Sequence, residues 1–442
     1  MRLPKISWFP RFKPSLACMW LTAVAASAIG SKTAAKLPWD WTGIIGTGQS
    51  LSVGAQGWPL LSTNQPYGNL KLATDHLPWP VDPNDSQLAL IPLVEPVGRH
   101  ATNYPSSWPD NIDGETPHSA MANELTALVR ANLNGDFVSV HGAVGENGQG
   151  MIFLKKSAVR KGVNGLSYAA AMIETRAIVR LAQAAGKTYG VGAIIVTHGE
   201  ADAGNPNYET ELRQLWADYN VDLPAITGQK QKIQMIVSQQ NSCADRSASA
   251  IAQWKIGEDY PGELVCSGPK YQYASPDGVH LTAEGYRLLG EKYGEVYYQR
   301  VILGQDWQPL QPIHLERAGR ILTIRYHVPV PPLVWETEFA SPHASVEEWR
   351  QGKGFEVTTA DGSKVAIASA AIAGDAVVLT CASDPGAGAR VSYALLGEKN
   401  RMAAPFPGTY RWGLLRDSDT LKGVGTGTVQ PNYGVAFELS AP

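Results

Sequence analysis

Ser50 stands in the stretch Gly48-Gln49-Ser50-Leu51-Ser52 at the end of a short apolar run, and far downstream Asp277-Gly278-Val279-His280 places a carboxylate three residues ahead of an imidazole. A serine hydroxyl is a weak nucleophile until a neighbouring base takes its proton, and an imidazole is a good base when an acid orients its other ring nitrogen. Of the nine histidines, His280 is the one in an Asp-x-x-His arrangement. Ser50, His280 and Asp277 thus supply the three residue types of a nucleophile, a general base and its orienting acid. A third polar block, Thr197-His198-Gly199-Glu200-Ala201-Asp202, again directly follows an apolar run, Ala193 to Val196. Three polar, glycine-containing segments, each at a strand end, predict a single active site.

The elements that must position these blocks are legible as alternating patterns. Short, nearly continuous apolar runs predict strands over Thr42–Thr47, Phe137–His141, Val191–Thr197, Ile233–Gln239 and Leu264–Cys266, each buried on both faces of a parallel sheet. Helices are predicted from Thr116-Pro117 to about Arg130, over Ser167–Ala185, over Tyr208–Tyr219 and from Thr282 onward. This alternation gives an open, doubly wound sheet whose functional groups collect at the carboxyl ends of the strands. The stretch from Asn64 to Ile112, rich in Pro, Asn, Asp and Trp, fits no period and reads as a long excursion beside the site's mouth. After about Leu303 the texture changes to alternating strand-like pieces such as Ile321–Tyr326, Ala376–Thr380 and Val391–Ala394, separated by Gly, Asp and Pro turns. An all-β, sandwich-like second domain is expected there.

The order of blocks, Ser50 near the start, a Gly-containing block, a Gly-Glu-x-Asp block and then Asp-x-x-His, resembles the SGNH (GDSL-type) hydrolase superfamily. Gly48-Gln49-Ser50 and Gly199-Glu200-Ala201-Asp202 resemble its sialate O-acetylesterase and acetylxylan esterase branch in particular. The likeness covers about residues 40–302. It implies a flavodoxin-like three-layer α/β/α catalytic domain over 31–302, followed by a β domain over 303–442 that brings no catalytic side chain. It also implies Ser50 as nucleophile, His280 as base and Asp277 as orienter, in an enzyme that removes O-acetyl groups from carbohydrate through an acetyl-serine intermediate without a cofactor. Longer acyl esters, as in a lipase or thioesterase, and non-catalytic carbohydrate binding are the competing functions.

The same resemblance places an oxyanion hole at the Ser50 amide, a glycine amide of Ala143–Gly148 and a side chain of the third block. Gly145 is the favoured glycine, with Gly148 the alternative. At the side-chain position the branch carries Gln and this chain carries His198, whose ring N–H can donate; Gln239 or Asn147 would serve if it does not. Gln49, Glu200, Asp202 and Gln239 are expected to bind substrate or to orient the loops, and His141 is read as structural.

Composition narrows the remaining possibilities. Charged residues make up 17% of the 442 residues and the net charge is -3, so no basic surface for nucleic acid is indicated. No cysteine or histidine spacing suggests a metal site. Arg2, Lys5, Arg11 and Lys13 precede the apolar run Leu16–Val24 and the Ala26-Ser27-Ala28 pattern, so residues 1–30 read as an export signal and the mature protein as secreted or periplasmic. That run is about half of the ~20 residues that cross a bilayer, so no stable membrane insertion is expected. Beyond the signal lie Cys243, Cys266 and Cys381, and a bridge between the first two would be compatible with export.

Overall fold

Aliphatic residues on both sides of each predicted strand require helices on both sides of the sheet, and the chain folds that way. The computed structural model describes residues 37–101, 108–160, 163–164, 166–240, 242, 247–337, 347–395 and 413–442; the expected export signal lies outside them. The main sheet has seven strands: β1 (Trp41–Gly48), β2 (Leu70–Ala73), β3 (Ala89–Pro92), β4 (Ser139–Ala143), β5 (Tyr189–Thr197), β6 (Gln234–Gln239) and β7 (Leu264–Pro269). Their order is β3-β2-β4-β1-β5-β6-β7, with every neighbouring pair parallel except β2 and β3. Omitting the β2–β3 edge leaves β4-β1-β5-β6-β7, a flavodoxin-like order whose direction of winding reverses at β1. Every residue of β5, β6 and β7 is buried, which accounts for their largely apolar character.

The five expected strands and four expected helices all occur, with ends shifted by a few residues except that the helix expected over Tyr208–Tyr219 runs on to Thr227. Helices α1 (Pro117–Asn132), α3 (Leu166–Ala184), α4 (Tyr208–Thr227) and α6 (Ala283–Tyr297) match the sequence patterns; the short α2 (Met151–Leu154) and α5 (Ala248–Asp259) carry no clear apolar stripe. Thr116 caps α1 by accepting from the His118 amide, and Thr282 caps α6 by accepting from the Gly285 amide. The excursion over Asn64–Ile112 differs from expectation in holding β2 and β3. Both are four residues long and lie at one side of the sheet, too short to show a period.

One face of the sheet packs Ile44, Ile195, Ile236 and Val265 against Leu125 of α1 and Leu289 and Tyr293 of α6. These two helices approach closely at Gly290, where an added Cβ would lie 2.2 Å from the Pro117 carbonyl oxygen. The opposite face packs Ile45, Ile194, Met235 and Val237 against Leu212, Leu215 and Trp254, and that core continues without a break into Leu322, Ile324, Val377 and Phe437 of the C-terminal strands. Those strands form two four-stranded antiparallel sheets, one containing Gln311–Ala318, Ile321–His327, Ile367–Ala373 and Ala376–Cys381, the other Lys364–Val365, Phe355–Thr358, Arg390–Tyr393 and Phe437–Ser440. Among the described residues no helix is long and apolar enough to cross a membrane. Cys266 is a buried free thiol in β7; Cys243, its contemplated partner, lies outside the described residues.

The C-terminal strands are fastened to the mixed sheet by more than apolar contact. Gln239, at the end of β6, donates to the Ala436 carbonyl at 2.7 Å and accepts from the Ala436 amide at 2.7 Å, and Tyr271 donates to the Gly434 carbonyl at 2.6 Å. Glu291 of α6 accepts from the amides of Gly425 and Thr426, the Thr426 hydroxyl and the Gln430 amide group. A chain ending near Gln305 would leave these groups unpaired and uncover the part of the core that packs on the C-terminal strands. Such a truncated protein is expected to lose cooperative thermal unfolding and to expose apolar surface, read by circular dichroism and dye binding; a sharp melt near that of the full chain would show the two parts to be independent.

Candidate active site

β1 ends at Gly48, and the chain then turns tightly so that Ser50 opens a single helical turn, Ser50–Ser52, at the carboxyl end of the sheet. The turn is closed by the Ser52 amide and hydroxyl, which both donate to the Gln49 carbonyl, and by the Val53 and Ala55 amides, which donate to the Ser50 carbonyl. Ser50 is 5% exposed. Its Oγ lies 2.9 Å from His280 Nε2, and His280 Nδ1 lies 2.6 Å from Asp277 Oδ2. The three residues named from the sequence therefore meet in one hydrogen-bonded chain.

Local backbone geometry sets Asp277 and His280 in register. Asp277 Oδ1 accepts from the amides of Val279 and His280 at 2.9 and 2.8 Å, which leaves Oδ2 for the ring. Burial by itself would raise the Asp277 carboxyl, but the hydrogen bond from His280 and the two amides outweigh it and hold the group at about 2. The acid therefore remains ionised at every pH at which an imidazole can act as base. Thr282 starts α6 two residues beyond His280, and Tyr286 of that helix donates to the Ala55 carbonyl at 2.7 Å, joining the base-bearing helix to the serine turn.

Gly145 lies against the same turn. A Cβ there would fall 1.9 Å from Ser52 Oγ and 2.9 Å from the Gly48 carbonyl oxygen, so any side chain would displace the serine turn. Its carbonyl accepts from Asn111 Nδ2 at 2.9 Å, while the following amide, of Glu146, donates to Gly48 at 2.9 Å. Among the described residues neither the Ser50 nor the Gly145 amide is engaged by another group. Gly148, the alternative, sits in a left-handed turn (φ 66°) with nothing packed against it.

His198 has both ring nitrogens engaged by other groups. Its ring is fully buried, with Nε2 2.9 Å from the Gln149 carbonyl and Nδ1 3.0 Å from the Tyr208 hydroxyl. A carbonyl accepts only, so Nε2 carries the proton and Nδ1 accepts from Tyr208; no N–H is left for an oxyanion. Burial lowers the pKa of His198, which keeps the ring neutral. Gln239 is likewise spent, on Ala436 and on the Ala250 carbonyl. Asn147 donates to Asp113. His141 is buried between His118 and Ser139, in keeping with a structural role.

The remaining predicted residues tie the blocks to one another. Gln49 Oε1 accepts from the Ala201 amide at 2.9 Å, linking the first block to the third. Asp202 Oδ2 accepts from the Met151 amide at 2.6 Å, linking the third to the second. Glu200 forms a fully buried ion pair with Lys270 at 2.8 Å, linking the third block to the segment that carries Asp277 and His280. Sequence reasoning missed Lys270 and Asn111. Neither lies in a motif; the one weak signal is that Lys270 is a charged residue one position beyond the end of a fully buried strand.

No protein-family profile matches the chain, and comparison with curated proteins finds no relative. Among solved structures, XAC1771, described as a carbohydrate acetylesterase from Xanthomonas citri, is similar with a TM-score of 0.55 at 13% identity, over 90% of this chain and 80% of that one. NanS gives a TM-score of 0.37 at 13% identity, over 59% of this chain and 97% of its own. Est24, described as a carbohydrate acetylesterase from Sinorhizobium meliloti, gives 0.27 at 12%, over 57% and 97%. At 13% identity the likeness to XAC1771 is one of fold, and at 90% of this chain it takes in the C-terminal strands as well as the mixed sheet.

Two outcomes follow from the geometry. Asp277→Asn should lower turnover by up to about 10⁴-fold, because the ring loses its orienting acceptor. Since the folded-state pKa of Asp277 is depressed, its contribution to stability is present above the unfolded value of about 4 and is lost as pH falls toward 2; the Asn variant should lack that part of the acid-induced drop in melting temperature. His198→Gln should lower the melting temperature while leaving turnover within a few-fold of wild type. A loss of about 10²–10³ in turnover at unchanged stability would return His198 to the oxyanion hole.

Proposed function

We propose that this chain is a serine esterase that removes O-acetyl groups from carbohydrate. The observation that carries the reading is the continuous Ser50–His280–Asp277 hydrogen-bond chain at the carboxyl end of a doubly wound sheet. The acetyl and carbohydrate specificity is supported by the XAC1771 fold likeness and by the Gly-Gln-Ser and Gly-Glu-x-Asp blocks.

In this mechanism Ser50 Oγ attacks the ester carbonyl carbon while His280 Nε2 takes the hydroxyl proton. Negative charge collects on the former carbonyl oxygen, where the Ser50 and Gly145 amides donate; each such donor contributes about 3 kcal/mol to the transition state. The sugar oxygen leaves with the proton returned by His280, and Ser50 holds the acetyl group. Water then attacks the acetyl carbon as His280 takes its proton, and collapse frees acetate and restores the Ser50 hydroxyl. Asp277 stays ionised throughout and stabilises the imidazolium that forms twice per turnover. Export of the protein is part of the proposal, supported by the sequence pattern of residues 1–30.

Ser50→Ala and His280→Ala should each lower kcat/KM for p-nitrophenyl acetate by about 10⁴-fold or more, and the double variant should lose little further, because both groups serve one step. Release of acetate from acetylated xylan, followed by an enzyme-coupled assay, checks the substrate class. Turnover by Ser50→Ala near the wild-type rate would refute the mechanism, and faster hydrolysis of octanoyl than acetyl esters would redirect the acyl assignment.

A further inference from the structure

Just beyond the serine turn the chain holds an indole out to solvent. Among the described residues no other Trp, Tyr or Phe is as exposed as Trp58, at 49%. A large apolar ring is rarely displayed in this way by a segment that is itself firmly held, and this one is.

The loop that carries Trp58 is fastened on both sides. The Ala55 amide donates to the Ser50 carbonyl at 3.0 Å, while Tyr286 holds the Ala55 carbonyl. Beyond the ring, the Glu115 amide donates to the Gly57 carbonyl at 2.8 Å, and the Glu115 carboxylate accepts from the Leu61 and Ser62 amides at 2.7 and 3.1 Å. The ring is fixed as well. Its N–H donates to the Asp113 carbonyl, and His100 meets it edge to face with centroids 5.2 Å apart at 68°. The one polar edge of the indole is thus spent on the protein, and what stays open is uncharged ring surface.

Asp113 places that surface at the candidate active site. Its amide donates to the Val53 carbonyl at 2.8 Å, directly after the serine turn, and its side chain accepts from Asn147, two residues beyond Gly145. Trp58 therefore stands on the residue that joins the two segments carrying the Ser50 and Gly145 amides. A rigid ring without a free donor recognises by contact area, and its electron-rich face favours weakly positive C–H groups. A sugar ring offers such C–H groups on a face of similar size, while its hydroxyls remain in water.

We propose that Trp58 is the platform on which a sugar ring of the substrate lies while the acetyl ester is at Ser50. The proposal rests on the carbohydrate esterase reading above and names the residue that would give that reading its preference for a sugar. Because ring and loop are already ordered, little conformational freedom is lost when the sugar docks.

The test has a binding arm and a kinetic arm. Titration calorimetry of the full-length protein with xylotetraose, cellotetraose and chitotetraose, none of which carries an O-acetyl group, reads binding without turnover. At least one should bind; Trp58→Ala should weaken it about tenfold or more, and Trp58→Phe, which keeps a ring, should stay within about threefold of wild type. Kinetics then compare the O-acetylated form of the probe that binds with vinyl acetate, which has no ring to stack. Trp58→Ala should lower kcat/KM for the sugar ester about tenfold more than for vinyl acetate, chiefly through KM. Binding of no probe by the wild type, or binding unchanged in Trp58→Ala, would overturn the proposal. So would an equal fall on both esters, which would make Trp58 a structural part of the loop, or a loss confined to octanoyl esters, which would assign the ring to an acyl chain. If the wild type hydrolyses no acetyl ester yet binds a probe in a Trp58-dependent way, the esterase reading fails and the sugar platform stands.

Discussion

The hydrogen bond between Ser50 Oγ and His280 Nε2 joins residues 230 apart in sequence across 2.9 Å. Nothing local can enforce it. A shift of 1 Å in either partner would break it, and such misplacement alone can cost about 10²-fold in rate. The fold can therefore be understood as a set of devices that fix two short turns relative to one another. β1 fixes the first, with both neighbouring strands parallel to it and its side chains buried. The cap on α6 fixes the second, and Tyr286 bridges the two directly.

Around that contact lies a ring of polar ties between the loops. Gln49 to Ala201, Asp202 to Met151 and Glu200 to Lys270 each join two of the four segments that meet at the site. The Glu200–Lys270 pair is the most exacting of these, since its side chains are 3% and 1% exposed. Loss of one partner would leave an uncompensated buried charge, a change that costs about 3–5 kcal/mol. The C-terminal strands extend the same logic outward. Through Glu291, Lys292 and Gln430 they hold the face of α6 directed away from the sheet, and Glu124 of α1 accepts from the Val424 amide in the same region.

Much of this was legible in the sequence, for identifiable reasons. Strands buried on both faces leave continuous apolar runs, and a nucleophile or base at their carboxyl ends appears as a polar block directly after such a run. Thr116 and Thr282 mark helix starts because a cap needs a side-chain oxygen at one defined position. What could not be read was direction and distant partnership. His198 follows β5 where a donor is expected, but Gln149 and Tyr208 claim both ring nitrogens, and no local pattern encodes them. Gln239 ends β6 as a pocket residue might, yet its partner Ala436 lies 197 residues on. Lys270 and Asn111 were invisible because each takes its role from a single tertiary contact. The core shared between the mixed sheet and the C-terminal strands was hidden for a similar reason: a change of texture marks a change of architecture, while a shared core depends on which faces meet.

Covalent capture of the nucleophile is the most direct measure of the central claim. Treating the full-length protein with a fluorophosphonate and mapping the adduct by peptide mass spectrometry should place it on Ser50 with one label per chain, and His280→Ala should abolish labelling because the hydroxyl then lacks its base. An unmodified Ser50 peptide beside a label on another serine, or labelling that persists undiminished in His280→Ala, would contradict the account.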